Sequence, residues 1–282
     1  MKIGLVLEGG AMRGLFTAGV LDVFMDEHIH IDGIVSVSAG ALFGVNYPSK
    51  QPGRVLRYNL KYLNDPRFLG FKSFITTGNI VNKDFGFYEI PYTLDPFDNE
   101  AYKQANIDFY ATLTNIETGE AEYHKITDPF AQMETLRATS AMPYVSNIVE
   151  VNGKKYLDGG IADSIPLAQC QALGYDKIIV ILTRPLDYRK TPSSPWLSKL
   201  FYRKYPKLVD ALNNRHTNYN ACVEDVIKQQ QQGKIFVIRP SQTLAIKRIE
   251  KDPVKIQAMY DLGVADAKRE MANLKAYLAD TI

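Results

Sequence analysis

The sequence predicts an α/β fold of three layers, with helices on both faces of a largely parallel central sheet. Three observations point there. Ile3 to Leu7 and Ile31 to Val37 are short β-branched runs that read as buried strands. Each runs through a small-residue turn into apolar residues at helical spacing. A third run of the same kind, Lys177 to Leu182, returns much later in the chain. Strand, loop, helix, strand, helix is how a parallel α/β sheet begins.

Taken in order, Ile3 to Leu7 is bounded by glycines, and Gly9 to Gly14 is a loop. Leu15 to His28 carries Leu15, Ala18, Leu21 and Met25 on one helical face. Ile31 to Val37 passes into the helical Ala39 to Val45 almost at Ser38. Residues 50 to 105 are rich in Tyr, Phe, Pro and Asn and read as irregular, with short helices. Ile107 to Asn115 and Ala121 to Lys125 read as a hairpin, and Thr135 to Ala141 as a helix that stops before Pro143. Ile148 to Val151 and Lys154 to Leu157 flank Asn152-Gly153, a strong two-residue hairpin signal. Leu167 to Leu173 reads as helical, Lys234 to Ile238 as the last strand, and Pro253 to Leu278 as one or two closing helices. Gln229 to Gln232 reads as a solvated helix face. We expect one domain over 1–282, with about 1–185 carrying the chemistry and about 186–282 a mostly helical extension with one strand.

Composition excludes several classes. The 282 residues are 46% hydrophobic and 23% charged, ordinary for a globular protein, and the net charge of +2 gives no general pull toward nucleic acid. The two cysteines, Cys170 and Cys222, lie in separate segments, and no Cys/His cluster has zinc spacing. Neither a disulfide framework nor a metal is expected, and no cofactor. The first apolar run is too short for a signal peptide, and no uncharged apolar run reaches the ~18 residues of a membrane span. A cytoplasmic location is expected.

Three motifs carry chemistry. Ser36-Val37-Ser38-Ala39-Gly40 joins a strand to a helix, as in a nucleophile elbow, where small residues two before and two after the serine let strand and helix pass closely. Its alternative is a serine at an ordinary turn or helix cap. Glu8-Gly9-Gly10-Ala11-Met12-Arg13-Gly14 feeds a helix N-terminus and would gather backbone N–H groups into an anion-binding nest. Its glycines fit neither nucleotide-binding pattern, and a plain turn, with Arg13 paired to a surface acid, is the alternative. Asp158-Gly159-Gly160 follows the second hairpin strand, where an acid can be approached closely by other backbone. A bare Asp-Gly-Gly turn is common.

Together these blocks resemble the patatin-like phospholipase family, in particular its bacterial cytoplasmic members. The family's G-G-G-x-[RK]-G loop matches Gly9 to Gly14 with Ala11 at the third glycine, and its G-x-S-x-G elbow matches Ser36 to Gly40 with Ser36 at the first. Its A-[ST]-S-A-x-P segment matches Ala138 to Pro143, and its D-G-G matches Asp158 to Gly160 within Tyr156 to Pro166, where Ser164 stands near the usual asparagine. The resemblance implies a patatin-like fold and a lipid or acyl ester substrate. It implies a Ser-Asp dyad of nucleophile Ser38 and base Asp158, and an oxyanion loop over Gly9, Gly10, Ala11, Met12, Arg13 and Gly14. Ser36 and Gly40 shape the elbow, and Gly159 and Gly160 the acid loop. No metal takes part. Alanine resists positive φ, so a loop that needs it at Ala11 would be strained.

Two other readings stay open. One is an α/β-hydrolase triad of Ser38, Asp158 and His216, an allowed order, although Asn213 to Asn218 reads as a polar, exposed stretch. The other is an inactive lipid-binding or scaffolding relative. Phe68 to Phe74 and Phe85 to Tyr92 are expected to form or cover an acyl pocket. Pro195 to Tyr205 combines Trp196, Leu200 and Phe201 with Lys199, Arg203 and Lys204, and is expected to touch a membrane surface peripherally.

Overall fold

The computed structural model describes residues 1–280. The chain runs β1 (Ile3–Leu7), α1 (Leu15–Asp26), β2 (Gly33–Val37), α2 (Ala39–Gly44), α3 (Arg54–Tyr62) and α4 (Phe71–Thr77). A π-helical stretch, Asp84–Leu94, holds Pro91. Then come α5 (Asn99–Gln104), β3 (Asp108–Asn115), β4 (Ala121–Lys125), α6 (Met133–Thr139), β5 (Val149–Val151), β6 (Lys154–Asp158), α7 (Leu167–Ala172) and β7 (Lys177–Ile181). The C-terminal part is α8 (Pro195–Tyr202), α9 (Pro206–Gln231), β8 (Phe236–Ile238) and α10 (Pro253–Ala279). No helix among the described residues is long and apolar enough to cross a membrane.

The eight strands form one mixed sheet, three layers deep with its helices. β1 pairs in parallel with β2 and β7, β2 with β3, and β7 with β8. β3 pairs antiparallel with β4 and β6, and β5 with β6. Alternation along β1 explains the layers. Leu5 and Leu7 face a core shared with Phe16 and Phe24 of α1 and Met259 of α10. Val6 faces the other way, toward Leu167 and Cys170 of α7 and Tyr219 and Val223 of α9. A strand buried on both faces must read as a continuous apolar run, as this one does.

Register along β3 places the functional ends. Val37, the last residue of β2, pairs with Thr112, and Asp158, the last of β6, pairs with Leu113. β4 covers Tyr110 to Thr114 on one edge of β3. The β2 and β6 pairings overlap it, so they follow one another along the opposite edge. Two strand ends from distant sequence therefore meet head to head.

The middle region holds the short helices expected of it, namely α3, α4 and α5, together with the π-helical stretch. The larger departure is α9. The polar run Asn213 to Asn218, read as exposed, lies inside a 26-residue helix and partly faces inward. Its buried positions Leu208, Leu212, Tyr219, Val223 and Val226 follow helical spacing, and Arg215 falls on the same stripe.

α1 and α10 cross at two glycines. A Cβ on Gly263 would stand 2.1 Å from the Phe16 carbonyl oxygen, and one on Gly19 2.3 Å from that of Tyr260. Glycine within a helix costs about 1 kcal/mol against alanine, so these glycines are there for the close approach. Gly263→Ala is expected to lower stability by about 1–3 kcal/mol despite its better helix propensity. Chemical denaturation measures this, and a rise in the unfolding midpoint would contradict the close crossing.

Candidate functional site

Ser38 sits where β2 turns into α2, at φ 55° and ψ −126°. For a residue with a Cβ this backbone costs on the order of 1–3 kcal/mol, and the surroundings must enforce it. The Ser38 N–H donates to Thr139 Oγ1 at 2.9 Å, and the Thr139 hydroxyl donates to the Thr112 carbonyl at 2.6 Å. The Ser38 carbonyl accepts from the N–H groups of Ala41 and Leu42. Gly40 lies against the end of β1, where a Cβ would meet the Leu7 and Glu8 carbonyl oxygens at 2.7 and 2.8 Å. Ser36 is fully buried, and its hydroxyl donates to the Tyr110 carbonyl at 2.8 Å. Its extra oxygen is thus satisfied on the neighbouring strand.

Asp158 faces Ser38. The Ser38 hydroxyl donates to Asp158 Oδ2 at 2.7 Å, and the Gly160 N–H donates to Oδ1 at 2.8 Å. The Asp158 N–H is held by the Ala141 carbonyl, and its own carbonyl accepts from Thr114 Oγ1. Gly159 has no room for a side chain, since a Cβ would stand 2.0 Å from the Thr112 carbonyl oxygen. Burial pushes the Asp158 carboxyl above the ordinary aspartate range, opposed by the charge of Arg215 and by the Ser38 and Gly160 hydrogen bonds. The group nearest Ser38 is thus a carboxylate with more than usual appetite for a proton.

The glycine-rich loop lies beside both. Ala11 adopts φ 49°, so the strain expected of alanine at this position is present. The loop offers fewer donors than six residues suggest. The Gly9 N–H goes to the Ser164 carbonyl, that of Met12 to the Arg248 carbonyl, and that of Arg13 to the Gly10 carbonyl. Gly14 closes the 3-10 turn that begins at Ala11. The N–H groups of Gly10 and Ala11 take no partner among the described residues. Arg13 pairs with no acid there, and its Nε is buried without a hydrogen-bond partner.

Several residues that sequence reasoning passed over belong to this place. Arg215 of α9 donates through Nε to the Gly160 carbonyl at 2.5 Å and so holds the acid loop. Glu8, buried at the end of β1, accepts from the Thr183 N–H at 2.5 Å and hydroxyl at 3.1 Å, and from the Tyr219 hydroxyl at 2.8 Å. The apolar stripe of α9 was the signal that could have revealed Arg215. His216 lines the cavity that holds Ser38 and Asp158, but the hydrogen bonds of the histidines go elsewhere. His216 Nδ1 contacts the Asn213 carbonyl at 3.0 Å and Nε2 the Thr217 hydroxyl at 3.3 Å. His30 contacts Asp32, and His124 contacts Glu122. Among the described residues no histidine is hydrogen-bonded to Ser38 or Asp158.

Two cavities meet at Ser38. One, of about 170 Å³, is apolar and is lined by Leu42, Phe43, Phe68, Phe87, Phe97 and Met133 among others. The aromatic middle region thus contributes Phe68 and Phe87, while Phe71 points outward at 73% exposure. The other, of about 390 Å³, contains Asp158 and a group of basic side chains.

Residues 5–170 match the family model described as patatin-like phospholipase, and residues 205–279 one described as a domain of unknown function, DUF6363. YjjU of Escherichia coli K12 is 29% identical over 252 residues, covering 86% of this chain and 70% of YjjU. The lysophospholipase NTE1 of Coccidioides immitis is 27% identical over 195 residues, and that of Saccharomyces cerevisiae 24% over 208. These alignments cover 66% and 69% of this chain but only 12% of either fungal protein. Among solved structures, VipD from Legionella pneumophila superposes with a TM-score of 0.49 at 11% identity, over 96% of this chain and 67% of that one.

The raised Asp158 carboxyl has a consequence for stability. The folded protein binds this proton more readily than the unfolded chain does, so its contribution is full below the ordinary aspartate value of about 4 and is lost as pH rises through the higher folded value. At neutral pH the buried charge is a cost. Asp158→Asn is expected to raise Tm at neutral pH, with the gap closing as the buffer is acidified. Calorimetry across pH tests this, and a lower Tm at neutral pH would contradict it.

Proposed function

Since the chain belongs to the patatin-like phospholipase family, we propose that it is a lipid acyl hydrolase working through Ser38 and Asp158. The observation that carries this reading is the 2.7 Å hydrogen bond from the Ser38 hydroxyl to a desolvated carboxylate, at the mouth of an apolar cavity. A serine hydroxyl is a weak nucleophile until a base removes its proton during attack. As Ser38 Oγ bonds to the ester carbonyl carbon, its proton passes to Asp158 Oδ2. The carbonyl oxygen takes the negative charge and is held by the free N–H groups of Gly10 and Ala11. Collapse breaks the bond to the alcohol oxygen, which leaves with the proton from Asp158. Water then attacks the acyl-serine, Asp158 accepts and returns a proton, and the fatty acid departs. The acyl chain occupies the apolar cavity.

We also propose that α8 and α4 rest on the lipid surface from which substrate is drawn. Trp196, Leu200 and Phe201 are 64%, 62% and 57% exposed, and Phe71 and Ile75 on α4 are more so. Residues 144–147 link the two helices. Tyr144 packs on Phe201 with ring centroids 5.5 Å apart, and the Val145 carbonyl accepts the Ile80 N–H. Exposed aromatics beside Lys199, Arg203 and Lys204 suit an anionic interface. The C-terminal part belongs to the same folding unit in this reading, since β8 extends the sheet and α10 covers α1.

Ser38→Ala and Asp158→Asn are each expected to abolish hydrolysis of a short-chain ester and labelling by a fluorophosphonate, with similar and non-additive losses. His216→Ala is expected to stay within about tenfold of wild type, ~1.4 kcal/mol of barrier. A fall of about a thousandfold in the folded His216 variant would instead mean a histidine-containing triad. For the surface contact, Trp196→Ala with Lys204→Glu is expected to reduce co-sedimentation with anionic vesicles. Undiminished binding would remove the contact from the proposal.

A further inference from the structure

Arg215 and Tyr219 stand four residues apart in α9, so they share one face of the helix with about 6 Å of rise between them. Both line the basic chamber, the cavity at Ser38 that contains Asp158. Each reaches a different loop of the site. Arg215 Nε donates to the Gly160 carbonyl in the acid loop, and the Gly160 N–H in turn holds Asp158. The Tyr219 hydroxyl donates to Glu8 Oε1, and Glu8 immediately precedes the glycine-rich loop. The two loops are also tied to one another. The Gly9 N–H donates to the Ser164 carbonyl, and the Ser164 hydroxyl donates to the Gly160 carbonyl at 2.7 Å. These contacts close a ring that runs from Glu8 and Gly9 through Ser164, Gly160 and Arg215, along one turn of α9 to Tyr219, and back to Glu8. The Thr183 N–H holds the other Glu8 oxygen, and the Thr183 hydroxyl lies 3.1 Å from that oxygen and 3.4 Å from the Gly9 carbonyl oxygen. Glu8 and Tyr219 are buried, which shields their contact from competing water.

The sheet places Ser38 and Asp158, but it does not place the N–H groups of Gly10 and Ala11. Those belong to a loop in which Ala11 adopts φ 49°, a backbone that relaxes unless its surroundings enforce it. We propose that α9 is a clamp, with Tyr219 and Arg215 as positioning residues, that holds the glycine-rich loop and the acid loop at one fixed separation. The Gly10 and Ala11 N–H groups and the Asp158 carboxylate then address the same ester at Ser38. This rests on the Ser38 hydrolase reading. Neither side chain touches the reacting atoms. Arg215 acts through Gly160, and Tyr219 acts through Glu8. Both come from the 205–279 stretch, outside the 5–170 stretch that matches the patatin-like model. The clamp gives that C-terminal stretch a task in the chemistry, to brace from outside two loops that the patatin-like part contributes.

The test is steady-state hydrolysis of a short-chain ester by full-length variants. Tyr219→Phe removes one hydroxyl and keeps the ring in the core. It is expected to lower kcat about tenfold or more with KM within about twofold, because misplacement by about 1 Å near a reacting centre costs on the order of a hundredfold. Arg215→Met is expected to do the same and also to move the acidic limb of the kcat profile to higher pH. Arg215 and Lys190 are the cations that favour the Asp158 carboxylate, and only one of them then remains. Tyr219→Phe is expected to leave that limb in place. A ring opened once is already open, so the double variant is expected to fall no more than about threefold below the poorer single one. Val223→Ala thins the packing of α9 one turn further along the same face. It is expected to lower the unfolding midpoint and leave kcat within about twofold. If Arg215→Met does not fold, Tyr219→Phe and Val223→Ala decide between them. Wild-type kcat in Tyr219→Phe, with Ser38→Ala inactive, would overturn the clamp and leave the hydrolase reading standing. Losses that multiply in the double variant would overturn the ring by making its contacts independent. A fall in Val223→Ala equal to that in Tyr219→Phe would reduce α9 to scaffolding and overturn the positioning role. Ester hydrolysis that is absent in wild type, or that survives Ser38→Ala, would overturn the hydrolase reading and the clamp with it.

Discussion

One edge of β3 organises the site. Thr112 and Leu113 are consecutive residues, and each pairs with the last residue of a different strand, Val37 of β2 and Asp158 of β6. Backbone hydrogen bonding fixes where those two ends lie far more tightly than side-chain packing could. Ser38 then follows directly on Val37, and its hydroxyl reaches Asp158 without a long or flexible connection. The Thr112 carbonyl does further duty, accepting from Thr139, whose oxygen in turn holds the Ser38 N–H. It also stands where any side chain at Gly159 would have to go. A strained serine backbone persists only where its surroundings over-determine it, and here the sheet does so.

Electrostatics divides the two sides of this seam. The apolar cavity is walled mostly by apolar side chains, with Arg54 and Arg248 its charged lining residues. Toward the basic chamber, Asp158 faces the charge of Arg215, which opposes the burial that would otherwise favour the neutral acid. Arg215 also fastens the acid loop through the Gly160 carbonyl, so one side chain both positions the carboxylate and tempers its basicity. Burial favours proton uptake and cations favour release, and the Asp158 carboxyl sits between these pressures.

Much of this was legible in the sequence. The strands that became β1, β2 and β7 announced themselves because both faces are buried and the apolar runs are unbroken. The Asn152-Gly153 hairpin was legible because its turn is decided by two residues, and Asn152 does take φ 51°. Ser38 and Asp158 were singled out through motifs whose spacing is local, and the fold brings them into hydrogen bond. What escaped were contacts made across the sequence. Arg215 looked like part of a polar, exposed run because its partner, the Gly160 carbonyl, lies 55 residues away. In the glycine-rich loop only the N–H groups of Gly10 and Ala11 stay unengaged among the described residues, because Ser164 and Arg248 accept neighbouring ones, which no reading of Gly9 to Gly14 alone contains. The middle region was read as irregular with short helices, and short helices are there, but their bounds were not legible.

The glycine crossing of α1 and α10 bears on how the chain is made. The apolar face of α1 is complete once residue 26 has been synthesised, but the helix that covers it begins at Pro253. At ribosomal speeds that interval is roughly ten to fifty seconds. Throughout it α1 has β1, α2 and α3 to pack against, but the side that meets α10 stays uncovered. Closing a loop of that length costs only modest entropy, so the finished fold is not penalised. The exposure falls on the growing polypeptide instead, as a demand for chaperone protection during translation.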